Sequence, residues 1–77
     1  MRSFSVLLNT IEKVRTFVTK ISQYEGDFDI VSDRYIIDAK SIMGIFSLDL
    51  AKPLKLNIYD ETELDKLKED FKEFIVE

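Results

Sequence analysis

AKSIMGIFSL, residues 39–48, places a hydroxyl directly before a run that is almost wholly apolar. Ser41 suits a helix N-cap, because its side-chain oxygen can accept a hydrogen bond from a backbone N–H two or three residues on. Residues 42–48 behind it are long enough for about two helical turns. Five of those seven are large apolar residues: Ile42, Met43, Ile45, Phe46 and Leu48. A helix that short buries one stripe, so part of the set faces water or a partner. Ile45 and Leu48 suffice for the buried stripe at i and i+3. Ile42, Met43 and Phe46 then form a second patch. It reads either as ordinary core or as a docking surface for another protein, and methionine, which adapts to varied partners, favours docking.

Upstream, Arg2 to Leu8 alternates, with Phe4, Val6 and Leu8 on one face and Ser3 and Ser5 on the other, the period of a half-buried strand. Asn9 and Glu12 form an Asn-x-x-Glu variant of the capping box, and Thr10 is an alternative cap. In the helix that follows, Ile11, Val14, Phe17, Val18 and Ile21 fall on one apolar face. Gly26 suits a left-handed residue closing that helix. Phe28 and Ile30 start a second strand, Ser32-Asp33-Arg34 a tight turn, and Tyr35 to Ala39 a third strand paired to the second.

Downstream, Pro53 ends the connection after the Ser41 helix. Leu54, Leu56 and Ile58 alternate with Lys55, Asn57 and Tyr59, the cleanest strand in the chain. Asp60 and Glu63 resemble a capping box for a last helix, in which Leu64, Leu67, Phe71, Phe74 and Ile75 face inward. The order strand, helix, strand, strand, short helix, strand, helix predicts an α+β open-faced sandwich: a four-stranded antiparallel sheet with helices on one side.

Composition narrows the function. At 77 residues the chain is long enough for one small core, burying ~60–65% of its unfolded surface. It has no cysteine and no histidine, which removes thiolate and imidazole chemistry and most zinc sites. The acidic run Asp60, Glu61, Glu63, Asp65 lacks the glycine and spacing of a calcium loop and reads as helix-start electrostatics. No catalytic, cofactor-binding or metal-ligating set is expected. Net charge is −4, which disfavours nucleic acid, and no stretch approaches the ~20 apolar residues of a membrane span. Lys66 with Asp70, and Glu69 with Lys72, read as solvent-side ion pairs.

The element order, with Lys40-Ser41-Ile42-Met43-Gly44 opening the short middle helix, resembles the HPr phosphocarrier family of the bacterial sugar phosphotransferase system. Ile45-Phe46-Ser47-Leu48 extend the match to that family's regulatory-serine segment. The resemblance covers the whole chain and implies a single HPr-like domain over residues 1–77. The family's other motif, a Gly-x-His-Ala-Arg-Pro start to the first helix, is replaced by Leu8-Asn9-Thr10-Ile11-Glu12-Lys13. Counted back without gaps from Lys40-Ser41, Thr10 stands at the histidine position, Glu12 at the arginine and Lys13 at the proline. A phosphohistidine site needs an imidazole and a cation for the phosphoryl oxygens. Here a hydroxyl and a carboxylate replace them.

The resemblance implies a bacterial, cytoplasmic, non-enzymatic protein, a monomer or weak dimer. Its Ser41 would be a phosphorylation site for HPr kinase. Its Ile42, Met43 and Phe46 would dock protein partners, either components of the phosphotransferase system or a transcription regulator. The nearest analogy is the catabolite-repression HPr-like proteins, which also lack the histidine and keep the serine. Two other readings stand beside it: a carrier that uses Thr10 as its phosphoryl acceptor, and an interaction module that is not phosphorylated at all.

Overall fold

In a computed structural model the chain is described over residues 2–59 and 64–76. The elements are β1 (Arg2–Val6), α1 (Ile11–Ile21), β2 (Phe28–Ser32), β3 (Tyr35–Asp38), α2 (Ile42–Phe46), β4 (Leu54–Ile58), α3 (Leu64–Asp70) and β5 (Ile75–Val76). The strands form one antiparallel sheet in the order β3-β2-β4-β1-β5. β4 lies at its centre because its apolar face is the most complete: Leu54, Leu56 and Ile58 are all buried. Cross-strand partners share a face, so Phe4 and Ile30 stand on either side of Leu56, and Val6 stands beside Leu54. The helices cover this face. The opposite face carries Ser3, Ser5, Lys55, Asp29 and Ile36 and is open.

The core between sheet and helices is centred on aromatic rings. Phe17 of α1 meets Phe71 edge-on at 5.3 Å and Phe74 at 5.7 Å between ring centres. Tyr24 bridges from Phe71 to Phe28. Edge-to-face pairs of this kind add to the burial of their area. Lys20 ties the end of α1 to the end of α3, donating to the Asp70 carbonyl and the Glu73 carboxylate, both at 2.9 Å.

The sheet has five strands, not four, and the last helix is shorter than its apolar spacing suggests. Helix α3 stops at Asp70, the chain turns through residues 71–74, and Ile75 and Val76 pair with Val6 and Ser5. The outer side of β1 would otherwise leave its backbone groups unpaired. Leu7 N–H extends the arrangement by donating to the Phe74 carbonyl at 2.8 Å. Phe71 and Phe74 point inward from the turn, which is why their spacing mimics a helical stripe. The expected Asp60–Glu63 capping box lies outside the described residues.

Smaller corrections have local causes. Thr10, not Asn9, caps α1, its hydroxyl accepting from Lys13 N–H at 3.0 Å, while Asn9 takes the Lys13 ammonium at 3.2 Å. Strand β1 ends at Val6, yet Leu8 is still buried. Gly26 does take a positive φ, 106°, but four residues beyond the helix cap Ser22, where it turns the chain into β2. Asp33 takes φ 52° in the turn joining β2 to β3. Asn57, expected on the wet face, is buried there, and its Oδ1 has no hydrogen-bond partner among the described residues. Glu69 and Lys72 do pair, at 3.0 Å. Lys66 instead sits over the Tyr24 ring, and Asp70 accepts the Tyr24 hydroxyl.

Candidate protein-docking surface

Helix α2 is held by its first residue and by its one glycine. Ser41 has an extended backbone and its Oγ accepts the Gly44 N–H at 3.1 Å, the N-cap geometry. The helix runs five residues, not seven, because its last bonds tighten: Ser47 N–H reaches the Gly44 carbonyl and Leu48 N–H the Ile45 carbonyl. Ser47 Oγ also donates to the Gly44 carbonyl at 2.5 Å. Lys40, just before the cap, turns its ammonium inward to the Tyr24 and Gly26 carbonyls, at 2.7 and 3.2 Å.

Gly44 faces β3 at close range. A Cβ there would collide with Cγ2 of Ile37 and stand 3.0 Å from Ser41 Oγ. The Ile37 methyl is on a branched, stiff side chain. Gly44→Ala gains about 1 kcal/mol of helix propensity and costs about 1–3 kcal/mol of overpacking. We expect a net loss near 1 kcal/mol, read as a lower urea midpoint; a higher midpoint would show that α2 can move off β3 freely.

This docking geometry divides the apolar residues of α2. Ile45 is fully buried, and Leu48 packs against the core. Ile42, expected in the outward patch, is half-buried and also packs on the core. Met43 is 77% exposed and Phe46 38%. These two are the outward apolar groups of the helix. Sequence reasoning missed a third: Ile11 is 61% exposed at the start of α1, the helix packed against α2. At ~100° per residue, Val14, Phe17 and Ile21 share the centre of the buried stripe and Ile11 falls at its flank with half-buried Val18.

Thr10 lies at the other end of the same region, as the cap of α1, with Glu12 exposed in the first turn. Its neighbours in a shallow recess are Glu12, Lys13, Thr16, Glu73 and Phe74. Two of these are carboxylates, and Lys13 is drawn toward Asn9. That is a poor electrostatic setting for a phosphoryl group on Thr10.

A second recess, of about 570 Å³, opens on the far side and is lined by Gly26, Asp27, Phe28, Asp29, Asp38, Lys40 and Tyr59. The Tyr59 hydroxyl donates to Asp29 at 2.8 Å. That hydrogen bond to a carboxylate holds the phenol above the ordinary tyrosine value of 10.0, with Asn57 pulling the other way. No group of three or more His, Cys, Asp or Glu among the described residues is arranged to hold a metal ion, and no helix among them is long and apolar enough to cross a membrane.

No protein-family model matches the chain, and no curated protein does. Among solved structures, the crystal structure of HPr-C-His from Thermoanaerobacter tengcongensis superposes with a TM-score of 0.69 at 23% sequence identity. The match covers 94% of this chain and 97% of that one. At that identity the likeness is one of architecture. The chain has an HPr-like fold.

Proposed function

We propose that the chain is a non-catalytic, HPr-like protein-binding and regulatory protein. It keeps the regulatory-serine helix and lacks the phosphohistidine site. The observation that supports this most is the division of labour in α2. Ile45 alone is fully buried, so the exposure of Met43 and Phe46 serves no packing need. Ile42, half-buried, packs on the core. Methionine and phenylalanine on a rigid helix are suited to filling pockets on a partner.

Ser41 stands at the edge of that patch, with the backbone N–H of Gly44 already directed at its oxygen. A phosphate there would carry about −1.5 to −2 charges and could take over the capping bonds. It would change the charge beside Met43 without unfolding the helix. In this reading HPr kinase phosphorylates Ser41, and the modified α2 recruits a LacI-type carbon-catabolite regulator in a bacterial cytoplasm. Thr10 serves as a helix cap and carries no phosphoryl group.

The test is intact-mass spectrometry after two incubations, one with HPr kinase and ATP, the other with enzyme I and phosphoenolpyruvate. We expect one phosphate, at Ser41, from the kinase alone. A phosphate acquired from enzyme I would overturn the reading and make Thr10 the acceptor. No modification in either mixture would leave a binding module without the switch.

A further inference from the structure

Strand β3 is the outermost strand of the sheet on its side, and Tyr35 and Ile36 on it are 60% and 66% exposed. Its inner side pairs Tyr35 with Ser32, Ile36 with Val31, Ile37 with Ile30 and Asp38 with Asp29. Ala39 N–H donates to the Phe28 carbonyl at 2.9 Å. Alternate residues of an antiparallel strand bond to the same neighbour, so Tyr35, Ile37 and Ala39 bond inward to β2. Both backbone groups of Ile36 and the N–H of Asp38 therefore point out from the edge, while the Asp38 carbonyl already accepts from Ser41 N–H at 2.9 Å. An exposed apolar edge strand is a template for another strand.

We infer that β3 pairs with β3 of a second copy, antiparallel, about a two-fold axis passing beside Ile36. Such an axis runs perpendicular to the sheet and keeps each face on its own side, so facing residues must come from the same face. That leaves few registers. Centred on Ile36, the isoleucine meets its own copy, Tyr35 meets Ile37, and Arg34 meets Asp38 on both sides of the axis. Centred on Ile37, Arg34 would face Lys40 and Ile36 would face Asp38. Centred on Tyr35, Arg34 would face Ile36 and Asp33 would face Ile37. Only the first register sets apolar against apolar and cation against anion, the pairs that stabilise a ladder.

The charges within one chain point the same way. Asp38 stands directly across from Asp29, a like-charge pair. The Tyr59 hydroxyl bonds Asp29 and the Lys40 N–H bonds Asp38, but the ion pairs among the described residues include neither aspartate. They do not include Arg34, which is exposed in the turn before β3. The copy's Arg34 would bring a cation to the end of that row. A four-residue edge buries less than the ~1,200 Å² of a standard stable interface, so the pairing is reversible and populated at high concentration. It is independent of the docking role of α2, which lies on the helix-covered side.

Sedimentation equilibrium up to millimolar protein tests it, with circular dichroism checking each variant. We expect the wild type to self-associate, and Arg34→Asp and Asp38→Arg each to remain monomeric. An equimolar mixture of the two should associate at least about tenfold more tightly than either alone. In the mixture, the new carboxylate at position 34 faces the new guanidinium at position 38, and native Asp38 faces native Arg34. Ile36→Lys, which leaves the approach to α2 untouched, should also abolish association, and it decides the matter if Asp38→Arg does not fold. The inference is overturned by a wild type that stays monomeric at millimolar concentration, by association that survives Ile36→Lys, or by folded charge variants whose mixture stays monomeric. Association lost instead in Met43→Ala or Phe46→Ala would overturn it too, moving the contact to α2.

Discussion

Phe71→Ala is expected to remove about 3–5 kcal/mol of stability, the largest effect of any single substitution considered for this chain. The ring is fully buried and touches three other aromatics, with centres 5.3 Å from Phe17, 5.9 Å from Tyr24 and 6.0 Å from Phe74. The lost side chain opens a cavity between α1 and the end of α3, and the rigid rings around it cannot close the space. The backbone at this residue matters as well. The Phe71 carbonyl accepts from Phe74 N–H at 2.9 Å and from Ile75 N–H at 3.2 Å, which aims β5 at β1. A chain of 77 residues has a total stability of roughly 4–12 kcal/mol. The variant should therefore be partly or wholly unfolded in conditions where the wild type is intact. Urea denaturation followed by circular dichroism reads this directly. A loss under about 1.5 kcal/mol would mean that neighbouring groups refill the site and that the aromatic cluster is not the centre of the core.

The second large effect falls on binding and leaves the fold alone. Met43→Ala and Phe46→Ala together should weaken partner binding by about 2 kcal/mol or more, roughly thirtyfold. Met43 is 77% exposed, so its truncation should change stability by no more than about 0.5 kcal/mol. Phe46 is more covered, yet it is not among the residues packed on the core. Ile45→Ala provides the contrast. That residue is fully buried, and its loss should lower stability by about 2–5 kcal/mol. Neighbours on one short helix thus separate packing from recognition, and equilibrium titration beside a urea melt distinguishes them.

The parts of the fold that are legible in the sequence are those whose signal is local. The cap at Ser41, the alternation of Leu54 to Ile58, the hairpin around Asp33 and the positive φ of Gly26, though not its place four residues past the helix cap, each follow from backbone chemistry within a few residues. What escapes local reading is decided by partners far away in the chain. Ile75 and Val76 become a strand because β1 offers an unpaired side, and nothing in Phe71 to Ile75 announces it. Ile42 turns toward the core because α2 lies against β3 through Gly44, a contact between positions 37 and 44 that has no periodicity. Asn57 keeps the alternation of its strand and is still buried. At the candidate site, the exposure of Met43 and Phe46 follows from counting more apolar residues than one stripe can bury. Ile11 gives no such excess, because it completes a stripe that the helix only partly uses. Tyr35 and Ile36 look like ordinary strand residues until the sheet order leaves them on its rim.

In the function proposed, α2 is a recognition surface controlled from Ser41. The most direct measurement is a backbone NMR titration of the protein, with and without phosphate on Ser41, against a LacI-type carbon-catabolite regulator. We expect amides of residues 41–48 to shift first and furthest, Ile11 to follow, and the phosphorylated form to saturate at lower regulator concentration. Shifts confined to the open face of the sheet, or identical titrations of the two forms, would contradict that function.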